Sequence, residues 1–193
     1  MFSLAALVVF SALSTVFSAS VPRALPTPYL SELVVAVDSN SPAYSRDLFK
    51  TWDIISGTCD THETVLERDG TDVIVNTACT AISGNWVSPY DGVPTTLASD
   101  LDIDRLVPLK EYAWLSGARD WTDAQREAYA NDLNTPPAVT DNLNESKDPV
   151  ESVPPLASYV CTYIRAWITV KHYYSLTVDT AEKTALTSYI DAC

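Results

Sequence analysis

Asp102 and Asp104 stand two residues apart in Leu101-Asp102-Ile103-Asp104-Arg105-Leu106-Val107-Pro108-Leu109, so on an extended strand both carboxylates share one face. Asn131, Asn144 and Lys147 follow in polar sequence. Carboxylate and amide oxygens are hard ligands, and such a set suits a Mg²⁺ or Mn²⁺ ion that keeps several waters. On spacing alone, a solvated acidic strand edge with ordinary loop asparagines is the better description. The chain has two histidines, His62 and His172, so any mechanism that needs a pair of imidazoles must use both. His172 lies beside Lys171, Tyr173 and Tyr174 at a predicted helix end, where an imidazole interacts with the last carbonyls. Other catalytic patterns are missing: no G-x-S-x-G elbow, no Walker A loop, no dinucleotide-binding glycine fingerprint. His62-Glu63 begins like a zinc-protease motif, but Leu66 occupies the place of its second histidine.

The elements that must position these residues belong to a chain of 193 residues with 12 Lys or Arg against 25 Asp or Glu, a formal charge of −13. Such a balance excludes a protein that coats nucleic acid through a broad basic face, although a small local site is still allowed. Hydrophobic residues make up 47%, with ten Tyr, five Trp and four Phe, so the chain is long and apolar enough for a core and is no disordered acidic tail. Five glycines argue against a low-complexity architecture. Trp86, Trp114, Trp121 and Trp167 are expected in the core.

Residues 1–20 carry no charge and run apolar through Leu4 to Phe10, with small residues at Ser18, Ala19 and Ser20. This reads as a signal peptide, too short and too interrupted for a membrane span; the alternative is a buried N-terminal helix. Residues 21–43 read as an N-terminal leader segment, opened by the Pro-rich stretch Val21 to Pro28, and residues 44–193 as one domain. The mature protein is expected to be secreted, monomeric and without a membrane anchor. Four cysteines, none in a C-x-x-C pair, suit an oxidising compartment rather than zinc. Of three possible connectivities, Cys59–Cys79 and Cys161–Cys193 each close a local loop and are preferred.

Apolar residues at 44, 48, 49 and 52 have helical spacing, whereas Leu33 to Val37 is too short to separate strand from helix. Val73 to Val75 and Ile82 to Val87 read as a strand pair, followed by a turn at Ser88-Pro89-Tyr90-Asp91-Gly92. Leu101 onward is a short strand ending in a loop. Thr122 and Gln125 form a capping box for a helix toward Asn131, and residues 134–155 read as a long loop, with at most one short helix. A helix with one apolar face runs through Val160 to Lys171, and Asp179 with Glu182 caps a last one whose Leu186, Tyr189, Ile190 and Cys193 face inward. The elements make one α+β domain.

The segment Ser83-Gly84-Asn85-Trp86-Val87-Ser88-Pro89-Tyr90-Asp91-Gly92, followed by Leu101 to Leu109, resembles fungal and bacterial secreted HNH nuclease-like proteins related to the C-terminal domain of GmrSD-type restriction endonucleases. The likeness continues through Trp121-Thr122, Arg126, Ala130-Asn131-Asp132, Asn144-Glu145-Ser146-Lys147, Cys161 and Lys171 to Asp179, and so spans Trp52 to Cys193. It implies a disulfide-bonded domain with an HNH-like ββα-metal core that cuts DNA or RNA with a divalent cation. Asp104 and Asn144 match that family's metal ligands, Asn131 its orienting asparagine and Lys147 a basic residue near the phosphate.

The family's strand motif reads Asp-x-Asp-His-x-Val-Pro, and its histidine, the general base, is Arg105 here. Arginine stays protonated at physiological pH and cannot take a proton from water. The segment Cys59-Asp60-Thr61-His62 resembles one in which the family commonly has arginine at the last position. An exchange of the two residue types in one cleft would let His62 partly restore a base; an isolated surface histidine is the simpler account. Asn144-Glu145-Ser146 is also a glycosylation sequon, and a glycan on Asn144 would occupy the amide that the metal needs. Two outcomes follow: a metal-dependent nuclease of weakened activity, or an inactive pseudo-nuclease that binds a protein or cell-surface target.

Overall fold

A computed structural model describes residues 27–134, 137–143 and 149–193. The helices are α1 (Thr27–Glu32), α2 (Thr61–Asp69), α3 (Asp123–Ala130), α4 (Ala157–Tyr173) and α5 (Thr180–Ala192). The strands are β1 (Ile54–Ser56), β2 (Cys59–Asp60), β3 (Thr71–Val75), β4 (Ala81–Val87), β5 (Pro94–Thr95), β6 (Leu101–Ile103) and β7 (Ala138–Thr140). They form an α+β arrangement of three small antiparallel sheets: β1-β2, β3-β4-β5 and β6-β7.

Local chemistry starts the helices. The Thr122 hydroxyl accepts from the Gln125 amide at 3.2 Å while the Gln125 side chain accepts from the Thr122 amide at 2.9 Å, so the expected box opens α3. Asp179 accepts from the Glu182 amide at 2.7 Å and opens α5. A third box, Asp60 with Glu63, opens α2, which apolar periodicity does not reveal because its buried residues are only Thr61, Val65 and Leu66.

Two apolar clusters result. The larger gathers Phe49, Val107, Trp114, Ile164, Trp167 and Leu186, among others; the smaller gathers Val65, Leu66, Trp86, Leu101, Ile103 and Ala138. This division explains why Tyr44 to Trp52 is not a helix beyond the single 3₁₀ turn Arg46–Leu48. Phe49 enters the larger cluster, edge-on to Trp114 at 6.2 Å, while Trp52 packs against the smaller one. One helical face could not deliver both. From residue 27 onward the expected leader is part of the fold: Leu30 and Leu33 are buried in the larger cluster, and Val35 bridges Val178. Residues 1–26, with the expected signal peptide, lie outside the described residues.

The stretch expected to be a loop from 134 to 155 contains β7, which pairs with β6 in the register Leu101↔Thr140, Asp102↔Val139, Ile103↔Ala138. Three residues are too few to show alternation, and the pairing comes from a distant segment. Both preferred disulfides are present, with Cα separations of 5.0 Å for Cys59–Cys79 and 5.6 Å for Cys161–Cys193. His172 does not serve its own helix end; it stacks on Tyr29 at 4.3 Å and meets the Glu32 carboxylate at 2.7 Å, fastening α1.

The Trp86 indole donates to the Leu66 carbonyl at 2.8 Å and lies flat over two glycines. A Cβ on Gly84 would come within 2.4 Å of the ring, and one on Gly70 within 2.4 Å of Val73 and 2.5 Å of the indole nitrogen. These contacts seat α2, which carries His62, on the sheet. Gly84→Ala is therefore expected to destabilise the fold by about 1–3 kcal/mol through overpacking, read as a lower urea midpoint at unchanged slope. Behind the larger cluster, the fully buried Lys171 ammonium donates to Glu182 at 3.1 Å, to Ser116 at 3.1 Å and to the carbonyls of Tyr112 and Thr177. Lys171→Met strands the Glu182 charge and is expected to cost about 3–5 kcal/mol; Lys171→Met with Glu182→Leu should recover most of it.

Candidate functional site

Chain geometry brings Asp104 and Arg105 to the seam between the two clusters. Leu101 and Ile103 face the smaller cluster and Leu106 and Val107 enter the larger one, so Asp104 and Arg105 occupy the crossing. The Asp104 amide donates to the Pro137 carbonyl at 3.1 Å, extending the β6-β7 ladder by one bond. Its side chain is 4% exposed and accepts a hydrogen bond from the Tyr90 hydroxyl. Burial first, and the Asp104 charge second, push the Tyr90 phenol well above its ordinary pKa, so it remains a donor to Asp104. Asp102, one turn of the pleat away, is half-buried and paired opposite Val139.

Arg105 turns into the protein. Its Nε and Nη2 donate to the Ala130 carbonyl at 3.2 and 3.1 Å, and its guanidinium carbon lies 4.5 Å from the centre of the Trp52 ring. Burial pushes its pKa down to about 10, with the positive charge of Arg46 the next contribution; Tyr129, Asp104 and Asp102 offset part of this. At neutral pH the guanidinium therefore remains charged. His62, on the first turn of α2, meets the same Trp52 ring edge-on at 5.3 Å. Arg105 and His62 are thus brought together on one aromatic side chain.

Asn131 caps α3 and uses its whole amide. Its Oδ1 accepts from the Asp53 amide at 2.9 Å and from the Thr61 hydroxyl at 2.9 Å. Its Nδ2 donates to the carbonyls of Lys50 at 3.0 Å and Glu127 at 2.9 Å. With two acceptor and two donor positions filled, Asn131 binds protein segments to one another and has nothing left for a ligand. Asn144 and Lys147 lie outside the described residues.

The expected Mg²⁺ or Mn²⁺ needs several oxygen ligands. Among the described residues Asp104 supplies one carboxylate, with one oxygen already hydrogen-bonded to Tyr90, and a guanidinium follows it in the chain. Among the described residues, the group of three His, Cys, Asp or Glu ligand atoms close enough together for a metal is Cys59, Glu67 and Cys79, whose sulfurs form the disulfide. On the other side of the strand ends a cleft of about 390 Å³ opens, lined among others by Arg68, Asp69, Leu106, Pro137, Ala138 and Tyr159.

Trp52 and Tyr90 are the residues that sequence reasoning did not single out for the site. Tyr90 lay within the compared motif, but as part of a turn; Trp52 carried only a helical-spacing signal. A check on the central tie is Asn131→Ala, which leaves the Asp53 amide and the Thr61 hydroxyl without their acceptor. It is expected to lower stability by about 3 kcal/mol or more, measured by urea unfolding.

No protein-family model matches the chain, and no solved structure does. A protein of Arthroderma benhamiae, described as an uncharacterized secreted protein, is 50% identical over 197 aligned residues, covering 94% of this chain and 96% of the relative. The protein is secreted, as the relative is. Among the described residues no helix is long and apolar enough to cross a membrane.

Proposed function

We propose that this chain, which belongs to one family with the uncharacterized secreted protein of Arthroderma benhamiae, is a secreted binding protein on an HNH nuclease-like scaffold that no longer hydrolyses phosphodiesters. The observation that carries the reading is the placement of Arg105. The family resemblance puts the general base there, and a group that keeps its proton to about pH 10 cannot accept one from water at neutral pH. Its fork is also spent on the Ala130 carbonyl and its face on Trp52, so it is not poised over a scissile bond. Loss of a positioned base alone costs about 10²–10⁴ in rate.

Support for the scaffold comes from chain order. Asp104 stands at the exit of β6, and β7 pairs antiparallel with that strand, a pairing that a ββα-metal core would share. Asn131 fastens the chain at Lys50 and Asp53 to α2 and α3, and the carbonyl of the preceding residue, Ala130, receives Arg105. The net charge of −13 favours a protein or cell-surface target over a nucleic-acid chain. His62 does not rescue the base in this reading, because its contact is with Trp52.

The test is cleavage of plasmid DNA and total RNA with added Mg²⁺ or Mn²⁺ by the wild type, Arg105→His and His62→Ala. The wild type is expected to leave both substrates intact, and Arg105→His to gain EDTA-sensitive cutting of about 10²-fold or more. Wild-type cutting that EDTA stops and His62→Ala abolishes would overturn the proposal and make His62 the relocated base.

A further inference from the structure

The fold fixes both polar ends of the cleft of about 390 Å³ beyond the strand ends. At one end, the Leu156 amide donates to the Tyr90 carbonyl at 2.9 Å, which sets the first turn of α4 against the turn after β4 and places Tyr159 on the cleft. The Tyr159 ring packs at a tilt on Tyr90, 5.8 Å between centres, and Tyr90 in turn donates to Asp104. Tyr159 is half-buried, yet its hydroxyl makes no hydrogen bond among the described residues. Burial first, then the charges of Asp104 and Asp69, push the phenol above its ordinary pKa, so it keeps its proton to donate. At the other end, the Asp69 carboxylate closes α2 onto β7: its Oδ2 accepts from the Ala138 amide at 2.9 Å and from Arg68 Nη2 at 2.7 Å. Among the described residues its Oδ1 accepts only from Arg68 Nε, at 2.6 Å, which leaves room for a second donor. Pro89, Leu106 and Pro137 add apolar wall to the same cleft.

We propose that this cleft holds one neutral sugar ring, which accepts a hydrogen bond from the Tyr159 hydroxyl and donates one to Asp69. The inference goes beyond the reading of Arg105: it uses neither that residue nor Trp52, and it holds whether or not the protein cuts phosphodiesters. Charge narrows the ligand first. An anion would meet the Asp69 carboxylate, the Asp104 carboxylate held by Tyr90 and a net charge of −13. A cation gains little, because Arg68 already answers Asp69 through two contacts. Polarity narrows it further. A purely apolar ligand would shut the Tyr159 hydroxyl away from water with no acceptor, which costs more than the contact returns. Hydroxyls on one ring both accept and donate, and a hydroxyl that donates to a carboxylate makes the stronger, charge-assisted bond. The C–H groups of the ring then pack on Pro89, Leu106 and Pro137, the apolar lining with few convergent polar groups that small-molecule sites share.

The experiment is a saturation-transfer NMR titration of the secreted protein with glucose, mannose, galactose and N-acetylglucosamine, beside gluconate and glucosamine as the anionic and cationic counterparts. At least one neutral sugar is expected to saturate with a dissociation constant of about 1 mM, and both charged probes to bind more weakly than it does. Tyr159→Phe keeps the ring and removes only a hydroxyl that has no partner in the fold. It should therefore keep the wild-type melting temperature and weaken the sugar about fivefold or more. The inference is overturned if none of the four neutral sugars saturates, if Tyr159→Phe binds with wild-type affinity, or if gluconate or glucosamine binds as tightly as the best neutral sugar. These probes contain no phosphodiester, so the titration and the cleavage assay succeed or fail independently.

Discussion

One side-chain amide ties together segments that share no sheet. Asn131 accepts from Asp53 and Thr61 and donates to Lys50 and Glu127, so the chain before β1, the first turn of α2 and the last turn of α3 meet at a single group. None of these bonds could be made by a shorter, longer or apolar side chain. Trp52 lies between two of the residues that Asn131 holds, Lys50 and Asp53, and its ring is therefore fixed in place. Arg105 and His62 both take their positions from that ring. The Ala130 carbonyl that receives Arg105 precedes Asn131, so the same cap also fixes the acceptor. The candidate site is in this sense a consequence of how one helix ends.

Burying a guanidinium without a carboxylate is costly, and the surroundings offset the cost only in part. Two hydrogen bonds to one carbonyl and an aromatic face replace water on one side of Arg105, and its proton is held less firmly than in solution. Lys171 solves the same problem differently, by surrounding its ammonium with Glu182, a hydroxyl and two carbonyls. The contrast separates a charge that completes the core from one that stays only partly satisfied. A partly satisfied charge at a cluster seam is where a ligand gains most from binding.

What the sequence made legible follows from the range over which each signal acts. Thr122 with Gln125 and Asp179 with Glu182 announce helix starts because cap and acceptor are three residues apart. The disulfides could be paired because each closes a local loop. The β3-β4 hairpin shows itself in two neighbouring β-branched runs. β7 does not, because its identity as a strand is conferred by Leu101 to Ile103 from far along the chain. Tyr44 to Trp52 misleads for a related reason: its apolar spacing serves two clusters on different sides, which a one-dimensional pattern cannot distinguish from one helical face. The Asp60-Glu63 box was present to be read, yet without an apolar stripe behind it the signal for α2 was easy to pass over. Within the candidate site, Asp104, Arg105 and Asn131 are the residues the resemblance picks out, while Trp52 and Tyr90 are marked only by their contacts.

An arginine at the position that the resemblance gives to a base would change more than the proton inventory. A histidine there would be neutral for much of the physiological range and would leave room for a cation beside Asp104. The guanidinium instead keeps a permanent positive charge that the Asp104 carboxylate supports electrostatically, while its contacts are with Ala130 and Trp52. With Arg105 and His62 both packed on the Trp52 ring, a substitution at residue 105 changes the packing of that ring as well as the charge beside it.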